Sequence, residues 1–547
     1  MPRRTSLADR QITPSNRMRA YAACTECRRR KRKCDGERPC SSCKNYGYKC
    51  SLASTSEATP GGGSVSSRPT PLDNTAAPSQ AISSEEVVVS KERGRLVNAH
   101  SAAVYPFLVG RGLDAAEPPR LHSYAWNLGL QPERRGTVDT RLSQYITLDE
   151  CRQLSAVYFE TVHSFFSFLR EDDFLMRLEQ TWSNLEESRI NFAAVIAGVA
   201  ALGSFFSSRR HPQEENLKKH CVSILELAYS TPASAIDLDS VSGQILRTLY
   251  ARLTTRPAVA YLASHNAMHM VEIMGLHALF SAPSAHNLSE KIGLGIEEIR
   301  ERRVIYWTAS FLDHLLSIEY GMMPMALSVI SSAHTASREE SPNEYILSSL
   351  TKALVSIHQA SKDPAGMKMI DETLHRILQV PDISPIASLF KAEVCLCLLR
   401  QSPINLLARN GNPASVAILK KALLAIPELL LARQPWWCLS TVPFQTVCVC
   451  LAADTPLYLS LLPESMSALR AVVDTFDSHM TQEALKTAQQ LIEASRENTM
   501  SKLSFKSSAL GEDPATVNTE ATWLPDEQTP DLLGSWPLDL DFIPYFE

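Results

Sequence analysis

Between about residue 95 and residue 500, apolar side chains recur at intervals of three and four residues, and helix formers dominate. That spacing places them on one face of a 3.6-residue helix and predicts a mostly α region. The clearest stretch is 300–324, RERRVIYWTASFLDHLLSIEYGMMP. Val304, Trp307, Phe311, Leu315 and Ile318 fall there at spacings of 3, 4, 4 and 3, and Gly321 and Pro324 supply stop signals. Leu225 and Ala228 belong to another such stretch. No repeated strand-type alternation and no fixed-period repeat is found. A helical region this long exceeds the roughly 250–300 residues at which single cores stop growing, so two packed lobes are expected. The longest apolar run, FAAVIAGVAALG from Phe192 to Gly203, is too short for the ~20 residues a bilayer demands.

The helical pattern fails at both ends. Residues 51–94, which include STSEATPGGGSVSSRPTPLDNTAAPSQAISS, are rich in Ser, Thr, Pro, Gly and Ala and poor in aromatics. Such a composition predicts a flexible linker, about 36 residues of which span ~30 Å on average. From Ser501 to Glu547, Pro514, Pro525, Pro530, Pro537 and Pro544 prevent a long helix, and bulky side chains alternate with carboxylates.

Charge sharpens this division. The 547 residues carry 54 Lys and Arg against 59 Asp and Glu, a net −5. Residues 1–50 nevertheless hold fourteen Lys and Arg and four Asp and Glu, a net +10, while Glu512 to Glu547 hold nine acids and no Lys or Arg. Near-neutrality therefore comes from a basic head and an acidic tail cancelling, which points to a polyanion at one end and a different partner at the other. Residues 1–23 form a basic arm (Arg3, Arg4, Arg10, Arg17, Arg19) with little to pack. The start, MPRRTSLADRQ, lacks the apolar stretch of a secretory signal, so a reducing compartment is expected.

Six of the thirteen cysteines crowd into 24–50 as CTECRRRKRKCDGERPCSSCKNYGYKC, two C-x2-C pairs each followed after six residues by a third cysteine. In a reducing compartment such clustering favours metal over disulfides. Six thiolates fill two tetrahedral zinc shells only if two sulfurs bridge, which suggests a binuclear cluster. Metal ligation would also explain how so few residues fold without an apolar core. Three disulfides, or two separate and under-ligated zinc knuckles, are the competing readings.

The segment resembles the fungal binuclear zinc-cluster transcription factors. Cys27, Arg28, Arg30, Lys31, Lys33, Cys34 and Asp35 match the C-R-x-R-K-x-K-C-D signature, and Pro39 precedes the fourth cysteine as in the family. The resemblance implies two Zn2+ ions held by Cys24, Cys27, Cys34, Cys40, Cys43 and Cys50. In it, Cys24 and Cys40 bridge, Cys27 and Cys34 complete one ion, and Cys43 and Cys50 complete the other. It further implies that Arg30 and Lys31 read the bases of a CGG triplet in double-stranded DNA. Arg28, Arg29, Arg32, Lys33 and Lys44 would contact phosphate, setting position and salt dependence but not sequence. The bland reading of RRRKRK is a nuclear localisation signal alone. Two zinc ions on six thiolates lower the head from +10 to about +8.

Three further landmarks resemble the fungal-specific transcription factor domain, a helical regulatory module: 158–177, 240–277 and 300–324, the last with Arg302, Arg303, Trp307, Asp313 and Gly321 in place. His314 stands where that family usually has Arg. Met268, His269, Met270, Met274 and His277 are expected to be ordinary helix core and surface. Cys395 with Cys397 and Cys448 with Cys450 could offer four thiolates, but positions i and i+2 of a helix do not face one another. No P-loop, H-E-x-x-H or G-x-S-x-G occurs, and Gly293-Leu-Gly295 lacks the third glycine and preceding strand of a dinucleotide site, so no enzyme is expected.

In the tail, Trp523, Leu532, Leu533, Trp536, Leu540, Phe542, Tyr545 and Phe546 are interleaved with acids, the composition of a disordered activation segment that meets coactivators. An inert tail, or one that docks back, is the alternative. Between Ser51 and His100, Ile82, Val89 and Leu96 are seven apart but the intervening positions are charged, so no coiled coil is expected there. A monomer and a homodimer through the helical domain both stay open.

The expectation is a nuclear, mostly α protein without a membrane span: arm 1–23, zinc cluster 24–50, linker 51–94, helical regulatory domain 95–500, acidic tail 501–547. Its expected function is regulation of RNA polymerase II promoters through CGG elements, as an activator, with a secondary-metabolite cluster as target. A metabolite-sensing regulator of nutrient use, or a zinc-cluster interaction module without base readout, is the alternative.

Overall fold

The computed structural model describes residues 24, 26–27, 34, 39–45, 48–50, 87–90, 95–98, 105–112, 141–183, 190–230, 236–280, 294–325, 341–359, 364–401 and 411–510. The chain divides into two compact units, Met1–Ser79 and Gln80–Glu547. In the first, a short helix, α1 (Ser41–Asn45), holds the fifth cysteine. The second opens with an antiparallel hairpin, β1 (Val87–Ser90) on β2 (Arg95–Asn98), pairing Val88 with Val97 and Val89 with Leu96. This hairpin straddles the boundary expected at 94/95. The β-branched run Val87–Val89 can pair locally with Leu96 and Val97 where composition alone reads linker.

Helices follow throughout: α2 (Tyr105–Gly112), α3 (Leu148–Thr161), α4 (Glu171–Ser183), α5 (Ile190–Phe206), α6 (Glu214–Ser230), α7 (Leu238–Thr254), α8 (Pro257–Met274) and α9 (Ile296–Glu319). Then come α10 (Pro342–Gln359), α11 (Pro364–Gln379), α12 (Pro385–Gln401), α13 (Pro413–Leu431), α14 (Cys438–Ala453), α15 (Pro456–Leu459), α16 (Leu462–Thr475) and α17 (His479–Ala509). Their starts are written locally. Thr147 and Glu150 form a capping box on α3, with the Glu150 N–H donating to Thr147 Oγ1 at 3.3 Å and the Thr147 N–H to Glu150 Oε2 at 2.9 Å. Asp237 caps α7 through the Ser240 N–H at 2.9 Å. Pro257, Pro413 and Pro456 each open a helix, where a missing N–H costs nothing.

The apolar run of 192–203 has no polar face, and α5 is accordingly buried from Asn191 to Phe206. It is a core helix, with α3, α6 and α7 packed around it. Among the described residues no helix is long and apolar enough to cross a membrane. The α9 helix goes further than its pattern. Val304, Trp307, Phe311, Leu315 and Ile318 are buried, and so are Ile305, Tyr306, Leu312 and Leu316 from the other faces. It lies between α8 and α10, so both sides are covered. Gly321 ends it at φ 67°, the left-handed turn a side chain resists, and the Met322 N–H reaches back to the Ser317 carbonyl at 2.7 Å.

The expected two lobes are not found. One continuous core runs from Leu142 to Val472. An aromatic seam closes it: Phe165 stacks on Phe390 with centroids 4.6 Å apart, and Trp436 meets Phe206 at 4.7 Å. These rings come from the turn after α3, from α12, from the turn before α14 and from α5, so halves distant in sequence share one interior. Helical structure also outruns the boundary expected at 500, since α17 continues to Ala509. Ala484, Leu485, Ala488 and Ile492 hold it against Val447, Met466 and Leu469. Met268, Met270 and Met274 are buried and His269 is exposed, the ordinary helix core and surface expected of them.

Candidate metal centre

The two C-x2-C pairs fold alike because the same short turn serves both. The Cys27 N–H donates to Cys24 Sγ at 3.4 Å, and the Cys43 N–H donates to Cys40 Sγ at 3.4 Å. The second pair runs into α1, which holds Cys43 and in which the Lys44 N–H donates to the Cys40 carbonyl at 2.8 Å. The Tyr48 N–H then returns to the Cys43 carbonyl at 2.8 Å. Cys40 in turn donates its N–H to Cys50 Sγ at 3.4 Å, which draws the sixth cysteine in.

The sulfurs converge. Cys24 lies 3.8 Å from Cys40 and 3.6 Å from Cys43, and Cys27 lies 3.6 Å from Cys40. A tetrahedron with Zn–S bonds of about 2.3 Å has S···S edges of about 3.8 Å, while a disulfide needs about 2.05 Å. None of the thirteen cysteines is joined in a disulfide, which excludes the three-disulfide reading. Among the described residues, Cys24, Cys27, Cys40 and Cys43 are the one group of three or more His, Cys, Asp or Glu whose donor atoms could share an ion. All four are buried, and half-buried Cys34 and Cys50 pack against them.

The electrostatics of the bare thiols point the same way. Donation by the Cys27 N–H pulls the Cys24 thiol down to about 6. Burial pushes Cys43 up to about 12, with Cys24's charge adding to the effect. At Cys40 the Cys43 N–H acts to lower the value, but burial and the thiols of Cys43, Cys27 and Cys34 push it up. Several thiolates cannot share so small a volume unless divalent cations neutralise them, and a thiolate-rich, closed set suits zinc. The residues present fit the ions.

The remaining expected site residues fall unevenly. Lys44 is exposed on α1. Arg28, Arg29, Arg30, Lys31, Arg32 and Lys33 lie outside the described residues, as do Trp523, Leu532, Leu533, Trp536, Leu540, Phe542, Tyr545 and Phe546. Cys395 and Cys397 on α12 and Cys450 on α14 are buried, and burial raises their thiols well above the ordinary range.

Two of the regulatory landmarks, 240–277 and 300–324, meet at Asp313, which is fully buried on α9. Ser264 donates to its Oδ1 at 3.1 Å and the Met325 N–H to its Oδ2 at 2.9 Å, with His265 Nδ1 2.8 Å from Oδ1. His314 turns instead to the Ser310 carbonyl of its own helix, with Nδ1 at 2.8 Å. Arg303 pairs with buried Glu344 of α10 at 2.8 Å. Sequence reasoning singled out Asp313 and Arg303 but not His265, Ser264 or Glu344, which no local pattern distinguishes from other polar helix residues.

Residues 22–59 match the family described as the fungal Zn(2)-Cys(6) binuclear cluster domain. Residues 156–343 match the fungal specific transcription factor domain. Protein RDR1 of Saccharomyces cerevisiae is 31% identical over 506 residues, covering 88% of this chain and 90% of that protein. Transcription factor kojR of Aspergillus oryzae is 26% identical over 558 residues, with 97% and 96% covered. The citrinin biosynthesis transcriptional activator mrl3 of Monascus ruber is 25% identical over 326 residues, covering 56% of this chain and 61% of that protein. No solved structure matches.

Proposed function

This chain belongs to the fungal Zn(2)-Cys(6) transcription factors, and from that premise we propose that it activates RNA polymerase II promoters in the nucleus by reading CGG-type elements. Its cluster domain binds two zinc ions, and it is a regulator rather than an enzyme. The observation that supports the reading is the sulfur arrangement: Cys24, Cys27, Cys40 and Cys43 converge with neighbouring sulfurs 3.6–3.8 Å apart, the edge length of a zinc–thiolate tetrahedron. In the proposal Cys24 and Cys40 bridge, Cys27 and Cys34 complete one shell, and Cys43 and Cys50 the other. Zinc supplies the folding free energy of the head, on the order of 10 kcal/mol or more.

Arg30 and Lys31 then meet guanine O6 and N7 in the major groove, and Arg28, Arg29, Arg32, Lys33 and Lys44 meet phosphate. The acidic tail supplies the coactivator contact through Trp523, Trp536, Phe542 and their neighbours. The similarity to a citrinin biosynthesis transcriptional activator of Monascus ruber supports a secondary-metabolite target.

The test is metal analysis of the full chain with binding to CGG-containing and scrambled duplexes, before and after chelation. About two zinc ions per chain and a CGG preference lost on chelation are expected. Equal affinity for both duplexes would overturn base readout, and binding that survives zinc removal would overturn the role of the cluster.

A further inference from the structure

At the surface of the helical unit, α5 contributes Gly198 and Ala201 to a hollow bordered by α6 and α7. Gly198, against which Leu246 packs closely, and Ala201 form its floor, and the cavity measures about 440 Å³. That lies within the ~300–1,000 Å³ typical of small-molecule sites. Leu246 and Val222 line its walls, with Val259 of α8 at the mouth. The polar lining has one sign. Lys218, Lys219 and Arg247 border the cavity, and no carboxylate lines it among the described residues.

These three cations outnumber the acid paired with them among the described residues. Lys218 and Lys219 share one acid, Glu215, at 2.7 Å and 3.7 Å. Half-buried Arg247 has no hydrogen bond or ion pair among the described residues. It lies close enough to buried Cys221 for its charge to oppose the burial of that thiol. A planar guanidinium beside an apolar hollow, with no carboxylate opposite, favours a ligand that brings its own.

We propose that this cavity is the effector site of the helical domain and takes a small organic acid: a carboxylate held by Arg247, with an apolar body lying along Ala201, Val222 and Leu246. Such a ligand touches α5, α6 and α7 together and so favours one packing of the three. The proposal goes beyond the DNA-binding reading and leaves it untouched if it fails, because the test concerns the helical unit alone.

The experiment is calorimetric titration of the full-length zinc-loaded chain with octanoate and with 1-octanol. Octanoate is expected to bind at one site per chain, and octanol at least tenfold more weakly. Arg247→Gln should weaken octanoate about tenfold, a loss of about 1.4 kcal/mol, with the Tm of the unliganded chain unchanged. Val222→Trp, which fills the hollow, should remove binding of both; should it lower the unliganded Tm, Arg247→Gln alone decides. No saturable octanoate binding, or binding that Arg247→Gln leaves intact, overturns the proposal.

Discussion

His265 Nδ1 lies 2.8 Å from Asp313 Oδ1, joining α8 to α9 where those helices cross. Asp313 is wholly buried, and it accepts from Ser264 and from the Met325 N–H as well. A carboxylate with three partners is secure, but partners depend on it in turn. Asp313→Ala takes the carboxylate from the Met325 N–H and from His265, while Ser264 Oγ keeps the Tyr261 carbonyl at 2.8 Å, and should cost about 2–4 kcal/mol. Chemical denaturation of the helical transition checks this. Asp313→Asn keeps an oxygen and should lose less; equal losses would mean that packing rather than acceptance matters.

The same pair sets a pH dependence. The Asp313 contact holds the His265 imidazole above its ordinary value, against the opposing effect of burial. A group raised on folding contributes fully below its unfolded value of about 6.5, and that contribution is lost as pH rises through the higher folded value. The stability gap between the native chain and His265→Asn should therefore be larger at pH 6 than at pH 8.5. A gap that stayed constant would place the pair's contribution elsewhere than in charge.

Gly203 marks the closest approach of α3 to α5. A Cβ built there stands 1.9 Å from the Leu154 carbonyl oxygen, a backbone atom that cannot swing aside. Gly203→Ala must push the helices apart in the middle of the core, at a cost of about 1–3 kcal/mol or more. A lowered Tm with unchanged zinc content is the expected result, and an unaltered Tm would mean that the crossing relaxes freely.

Base and phosphate contacts in the head should separate by their salt behaviour. Arg30→Ala and Lys31→Ala are expected to cost about 1–3 kcal/mol on CGG sites and relax sequence preference. Arg28→Ala should weaken all duplexes alike and reduce the salt slope by about 1. Mutants of both kinds that behaved identically would dissolve the distinction.

Removing residues 512–547 takes away nine acids and the interleaved aromatics. Reporter output should fall while affinity for CGG duplex stays the same. Unchanged output would remove activation from the tail.

Much of this was legible in one dimension. Metal ligands that lie within 27 residues must close a local ring, so their spacing carries the cluster's chemistry, and the repeated C-x2-C turn is the same geometry twice. Capping residues and helix-opening prolines act over one turn and can be read as they stand. The linker boundary was less secure: three valines look alike whether or not a partner strand lies a few residues on. The face of α9 was read correctly but incompletely, because periodicity shows which side is apolar and not how many neighbours will cover the rest.

The sequence by itself determined a zinc head, a helical body and opposite charges at the two ends, since these follow from residue type and local spacing. Only the tertiary structure decided that the body has one core rather than two lobes, and that Asp313 answers to His265 rather than to residue 314. It alone placed Arg247 beside a hollow floored by Gly198 and Ala201. Each of these depends on which distant helices touch, and that is settled by the simultaneous packing of many side chains, a property no short window of the chain contains.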